Sequence, residues 1–375
     1  RLLVAVLKSE GYTAYLMEEN EETLKESLKT NTGQCIPLNA IASGFIHTVE
    51  KNGLDPADCV LWLSESEISC NIKLYPHHIK TILNRNGNGF ENAGVYVGEL
   101  SFIDISFRSS INAYFAYMFG GLLRSIGCKI RPYEIRKGET DDVIEKSLTV
   151  LEHTFKEHLS KEDALSEVMP YFAGIETRDR DEKRPKIAIF GDLYIRDNAV
   201  INQDLIHFIE DNGGEVITTP YYKYVKMIAS SYFKKWFKEG RYFSLISNKA
   251  LFATLTRLER KYYKYFKPLL NEHEINYDDN PDEILKEYGL LPEHTGESMD
   301  NLLKIHYVLK EYPDISLFVQ TSPSFCCPSL ITEAMGHTIE KKTGTPIVGI
   351  TYDISGGNKN RILIPFLKFT QPQSG

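Results

Sequence analysis

The sequence predicts an α/β fold built on largely parallel sheets. Short apolar runs alternate with longer segments of helical period along most of the chain, the pattern of strands separated by crossover helices. Several runs lead through a turn into a helix start marked by a proline near its first position, as at Pro37, Pro76 and Pro328. The chain has 375 residues with 42% hydrophobic and 25% charged content, enough for two or three domains with separate cores.

The first α/β part is expected over 1–138. It opens on Leu2, Leu3, Val6 and Leu7 at helical spacing, where an α/β unit ordinarily opens on a strand. With Arg1 rather than Met at the start, this reads as a fragment whose preceding strand belongs to a longer polypeptide. A strand is expected over 13–17, a helix over 21–29 and a helix over 37–50. A strand over 59–63, a helix from Pro76 and a strand over 93–100 follow. "INAYFAYMFGGLLRSIG" is apolar nearly all round, which predicts a buried helix.

A helical bridge over 140–171 ends in "ETRDRDEKRPK", a charged stretch resembling a linker, so bridge and linker together take 139–183. The second α/β part, 184–375, opens on a strand over 187–190 and a helix over 202–211 that Gly213-Gly214 stops. "EVITTP" is the next strand, and a helical insertion over 222–289 follows. Then come a helix (296–310), a strand (315–320), a helix (329–341), a strand (346–352) and a last helix from Asn360.

The formal charge of −8 argues against a nucleic-acid partner, which needs a basic face. No apolar run approaches the roughly 18 residues that cross a bilayer. Residues 226–270 run the other way, basic and rich in Tyr and Phe. They read as amphipathic helices with solvated lysines, or as a docking surface for an acidic partner.

Six cysteines, with no C-x-x-C pair, are too few for a disulfide scaffold and suit a reducing, cytoplasmic setting. Cys70 follows one expected strand and precedes a helix; Cys326 and Cys327 do the same in the second part, and Cys35 sits in a turn before a helix. Such junctions lie at the carboxyl ends of parallel strands, where these folds bind ligands. Helix N-termini also favour thiolates. Three thiolates meeting between domains, with no histidine at matching spacing, suit an iron–sulfur cluster better than zinc. The other reading is a set of small buried hydrophobes.

The runs "GQCIP" around Cys35, "SCNIKLY" around Cys70 and "PSFCCP" around Cys326 resemble the 2-hydroxyacyl-CoA dehydratase family. In particular they are similar to the carboxyl-terminal part of the large CoA-substrate-specific enzyme activases. "RPYEIRKGETDD", "RPKIAIFGDLYIRDN", "NGGEVITTPY", "HTGES", "CCPSLITEAMG" and "PIVGITYD" extend the resemblance over nearly the whole chain.

The resemblance implies two flavodoxin-like domains holding a 4Fe-4S cluster through Cys35, Cys70 and Cys326. Relatives with a double-cubane cluster use more cysteines, which makes Cys327 and Cys128 additional candidates, while Cys59 reads as strand core. The family's P-F-x-C-M-P run places Cys326 at the ligand and Cys327 at the Met position. Where dehydratases carry P-C-R-F-G-Q-Y, this chain has Ser69-Cys70-Asn71-Ile72-Lys73-Leu74-Tyr75, which leaves the cluster in place but puts thioester dehydration in doubt.

The implied role is an iron–sulfur reductase or 2-hydroxyacyl-CoA dehydratase-like lyase, fed low-potential electrons by an ATP-dependent activase in the same polypeptide or another. Its substrate would be a small molecule or an acyl-CoA, its setting anaerobic, its assembly a homo-oligomer such as a dimer. The alternatives are a non-catalytic electron-relay or regulatory module and a metal-free interaction domain. On the substrate side, Asp192, Tyr194 and Arg196 follow a strand, Glu297 opens a helix and Asp353 ends the last strand. Each also has a structural reading as a cap or ion-pair partner, and Arg131 with Glu134 reads as such a pair.

Overall fold

The computed structural model describes residues 1–64, 70–98, 102–178, 184–271, 275–291 and 296–369. Its first part carries helices α1 (Leu2–Ser9), α2 (Glu21–Lys29) and α3 (Ile36–Lys51), then strand β1 (Val60–Ser64), α4 (Tyr75–Asn86) and β2 (Gly94–Gly98). The two strands pair in parallel, Leu61 beside Val95. Helices α3 and α4 cover them with Leu38, Phe45, Ile79 and Leu83. Asn20 starts α2 with a capping box closed by Thr23.

The expected strand over 13–17 does not form. Its alternating residues have no neighbouring strand to take their backbone hydrogen bonds among the described residues, and Tyr12, Tyr15 and Leu16 lie exposed in a loop. The end of this loop reaches the second sheet instead, where the Tyr194 hydroxyl donates to the Glu19 carboxylate.

Helix α5 (Phe107–Ile130) is buried on most sides, as its composition predicts. It meets α1, the bridge helices α6 (Glu139–Lys156) and α7 (Lys161–Ala173), and later helices in an aromatic-rich core around Phe115, Phe119, Phe155 and Phe172. The charged linker is tied down where described: the Arg178 amide donates to the Tyr133 carbonyl at 2.8 Å.

The second part contains β3 (Lys186–Gly191), α8 (Leu193–Asp197), α9 (Leu205–Asp211), β4 (Glu215–Ile217), α10 (Tyr221–Lys238), α11 (Tyr242–Leu270), α12 (Pro281–Glu287) and α13 (Glu297–Glu311). It continues through β5 (Ile315–Pro323), α14 (Cys327–Ala334), α15 (Gly336–Thr343), β6 (Ile347–Tyr352) and α16 (Ile364–Phe369). One detail differs from expectation: the single helix over 329–341 is split at Met335. The insertion is helical as expected, and Tyr262, Phe266 and Leu270 of α11 complete the core around α5.

All four strands are parallel, in the order β4-β3-β5-β6. Counted within this part, that is second-first-third-fourth, the flavodoxin-like winding. The chain leaves β3 toward β4 on one side and returns to β5 on the other, so the winding reverses between β3 and β5. In such windings the carboxyl ends of the strands at that point form the crevice where ligands bind. The fold is thus mixed α/β with parallel-only sheets, consistent with flavodoxin-like domains. Among the described residues no helix is long and apolar enough to cross a membrane.

Candidate metal centre

Three cysteines occupy one kind of position. Cys35 is the N-cap of α3, Cys70 the N-cap of the short turn Asn71–Leu74 that runs into α4, and Cys326 the N-cap of α14. In each of α3, α4 and α14 a proline stands in the opening turn, where its missing N–H costs nothing. Cys326 follows directly from the crevice between β3 and β5. Its loop is held by Phe325 in the left-handed region (φ 68°), and its amide donates to the Pro323 carbonyl at 3.3 Å.

Cys35 and Cys326 are buried, Cys70 is half-buried and Cys327 is exposed. Asp192 and, when ionised, Cys326 and Cys70 oppose ionisation of the Cys35 thiol, so the cysteines from the two sheets lie within electrostatic reach of one another. Tyr75, buried beside Cys35, favours the thiolate of that cysteine and is itself within electrostatic reach of Asp192 and Cys70. Ser329 donates its hydroxyl to the Cys326 sulfur at 3.2 Å. Tyr75 and Ser329 were not singled out from sequence. Tyr75 closes the "SCNIKLY" run and Ser329 lies one turn beyond Cys326, but a side chain beside a sulfur leaves no pattern in a sequence.

One expectation is overturned. A helix N-terminus favours thiolate, yet burial pushes the Cys35 thiol well up, because desolvation outweighs the help from Tyr75 and nearby negative groups oppose ionisation. The metal-free Cys35 is therefore a thiol, and metal binding there must release its proton.

Among the described residues, no group of three or more His, Cys, Asp or Glu side chains is gathered closely enough to hold a single metal ion. The thiols of a cluster bind separate irons and stand farther apart than the ligands of one ion, at roughly 6–7 Å for adjacent corners. The donor set fits a cluster: three thiols from two sheets, and a hydroxyl donor to the Cys326 sulfur.

The other candidates fall in different places. Cys128 is buried on α5 within the core of the second sheet, beside Glu210, Arg131 and Arg124, and burial pushes its thiol up to about 12. It lines a cleft of about 610 Å³ with Arg131, Asp141, Arg196, Asp197 and His207. Arg196 is buried there and pairs with Asp197 at 2.7 Å, while Arg124 pairs with the same carboxylate at 2.6 Å. Cys59 is half-buried immediately before β1.

Asp192 caps α8, accepting from the Ile195 amide at 2.8 Å, and the Tyr194 hydroxyl is pushed up by burial and by Glu19. Asp353 follows β6; burial would raise its carboxyl, but bonds from Ser355 and Lys359 hold it below the usual range. Glu297 begins α13, and its side chain lies outside the described residues. Arg131 and Glu134 do not pair: Arg131 clasps Glu210 at 2.9 and 3.0 Å, and Glu134 accepts from the Gly138 and Thr140 amides at the start of α6.

No family model matches the chain, and no curated protein matches it. The dehydratase and activase likeness rests on the motifs quoted from the sequence.

Proposed function

We propose that this chain is an iron–sulfur reductase or dehydratase-like module, served by an ATP-dependent activase, with Cys35, Cys70 and Cys326 as the thiolate ligands. The observation that carries the reading is the convergence of three N-cap cysteines from two parallel sheets, with Asp192 and Tyr75 at the same place. A bound cluster would supply low-potential electrons to a small-molecule or acyl-CoA substrate.

The chain's own residues do the rest. Burial of Cys35 and Cys326 limits water at the sulfurs, and Asp192 and Tyr194 present polar groups from the β3 side. Asp353 and Lys359, paired at 3.0 Å, fix the loop after β6. The test is anaerobic purification with iron and acid-labile sulfide quantitation. A brown protein containing both supports the reading. Colourless, iron-free protein after anaerobic reconstitution overturns it and leaves a metal-free interaction domain.

A further inference from the structure

A polar network, unusual for a sheet interior, lies directly behind the Cys326 turn. Gln320 on β5 is buried and donates to the Ser329 carbonyl at 2.9 Å. Asn301 on α13 donates to the Thr332 hydroxyl at 3.2 Å, one turn further along α14. Lys304, also fully buried, donates to the Gly191 carbonyl and to Asn301, each at 3.3 Å. Placing these polar groups in a core is costly unless each is bonded in a defined geometry. Their common effect is to fix the first turns of α14 against β5 and α13. That fixes the Ser329 hydroxyl, which donates to the Cys326 sulfur at 3.2 Å.

The first sheet repeats the device with different parts. Tyr75 opens α4, is buried, and stands beside Cys35 from a position five places after Cys70. One candidate ligand sulfur therefore receives a hydroxyl from a buried side chain at a helix start, and a second has a buried phenol beside it. A helix start needs neither hydroxyl for capping, since α4 and α14 have prolines in their opening turns and no side-chain cap.

We propose that Ser329, by the bond it makes to the Cys326 sulfur, and Tyr75, from its buried place beside Cys35, are positioning residues that set the reduction potential of the group those sulfurs bind. This rests on the cluster reading above. A hydrogen bond to a ligand sulfur withdraws negative charge from it, and the reduced, more negative state gains most, so the bond raises the potential. The two residues would act on the electronics of the centre without being ligands.

The experiment uses the anaerobically reconstituted chain with Ser329→Ala, Ser329→Thr and Tyr75→Phe. Iron content, midpoint potential by redox titration, and Fe–S stretching frequencies in H₂O and D₂O are read on each. Ser329→Ala and Tyr75→Phe are expected to keep parental iron, to move the midpoint to more negative potential, and to lose part of the deuterium shift of the Fe–S bands. Ser329→Thr, which keeps the hydroxyl, is expected to restore both readings. Full iron with unchanged potentials and deuterium shifts overturns this inference alone. An iron-free parent protein overturns the cluster reading and this inference with it.

Discussion

A β-carbon on Gly191 would lie 2.2 Å from the carbonyl oxygen of Thr321, its register partner on the neighbouring strand. Gly191 is the last residue of β3, with φ +114°, and the same Thr321 oxygen accepts the Asp192 amide at 3.0 Å. The two strands close on each other at the point where one delivers Asp192 and the other runs on to Cys326. Only glycine allows that approach.

Gly191→Ala is therefore expected to destabilise the fold by about 3 kcal/mol or more, since backbone strain and overpacking each cost on the order of 1–3 kcal/mol. Chemical denaturation would show a lower midpoint. An unchanged midpoint would mean that β3 and β5 can separate freely at the crevice.

The cysteine series tests ligand identity. Cys35→Ser, Cys70→Ser and Cys326→Ser should each lose most of the iron bound by the parent after reconstitution, because a three-thiolate site has no spare ligand. Cys59→Ser should keep it. If Cys327→Ser loses iron while Cys326→Ser keeps it, the assignment within the double cysteine moves by one residue.

What the sequence showed depended on how local the signal was. The helix opened by Pro37, the buried helix around Phe115 and Phe119, and the strand before Cys326 all carry their own period or cap, and each was legible. The strand expected over 13–17 failed because pairing is not local: alternation at Tyr15 and Leu16 says nothing about whether a neighbouring strand exists. The docking of Tyr262 and Phe266 against α5 was hidden for the same reason.

At the candidate centre, the junction positions of Cys35, Cys70 and Cys326 were legible from strand and helix order. The place of Tyr75 beside Cys35, and the replacement of an Arg131–Glu134 pair by Arg131–Glu210, depend on side chains meeting across elements, and the Ser329 bond depends on a rotamer. No spacing encodes them.

His207 gives a pH-dependent prediction. Its ring bonds Asp141 on α6 at 3.1 Å and Asp204 at 2.6 Å, and these carboxylates raise its pKa from 6.5 to about 9, against burial and the nearby Arg131. A base whose folded pKa is raised adds stability that is complete below its unfolded value and vanishes as pH climbs through the folded one. The difference in melting temperature between the parent and His207→Gln should thus be largest below pH 6.5 and close by about pH 9. A difference that stays flat from pH 6 to 10 would show that the ring is not charged in the fold.

The last prediction concerns the pair that ties α10 to α13. Lys223 and Glu311 meet at 2.6 Å with their side chains 9% and 4% exposed. Removing one partner takes this ion pair from the remaining buried charge, which costs about 3–5 kcal/mol, whereas replacing both with apolar groups of similar size is often neutral or better. Glu311→Gln and Lys223→Met alone should each cost about 3 kcal/mol or more by denaturant unfolding, and Lys223→Met with Glu311→Leu should recover most of that loss. Since α13 also carries Asn301 and Lys304, which brace the Cys326 turn, the singly substituted proteins should lose reconstituted iron as α13 loosens, and the double variant should regain it. Additive single effects in the double variant would show that the two charges do not depend on each other, and α10 would then be held to α13 by its other contacts, among them the Tyr224 hydroxyl bonded to Asp300 at 2.6 Å.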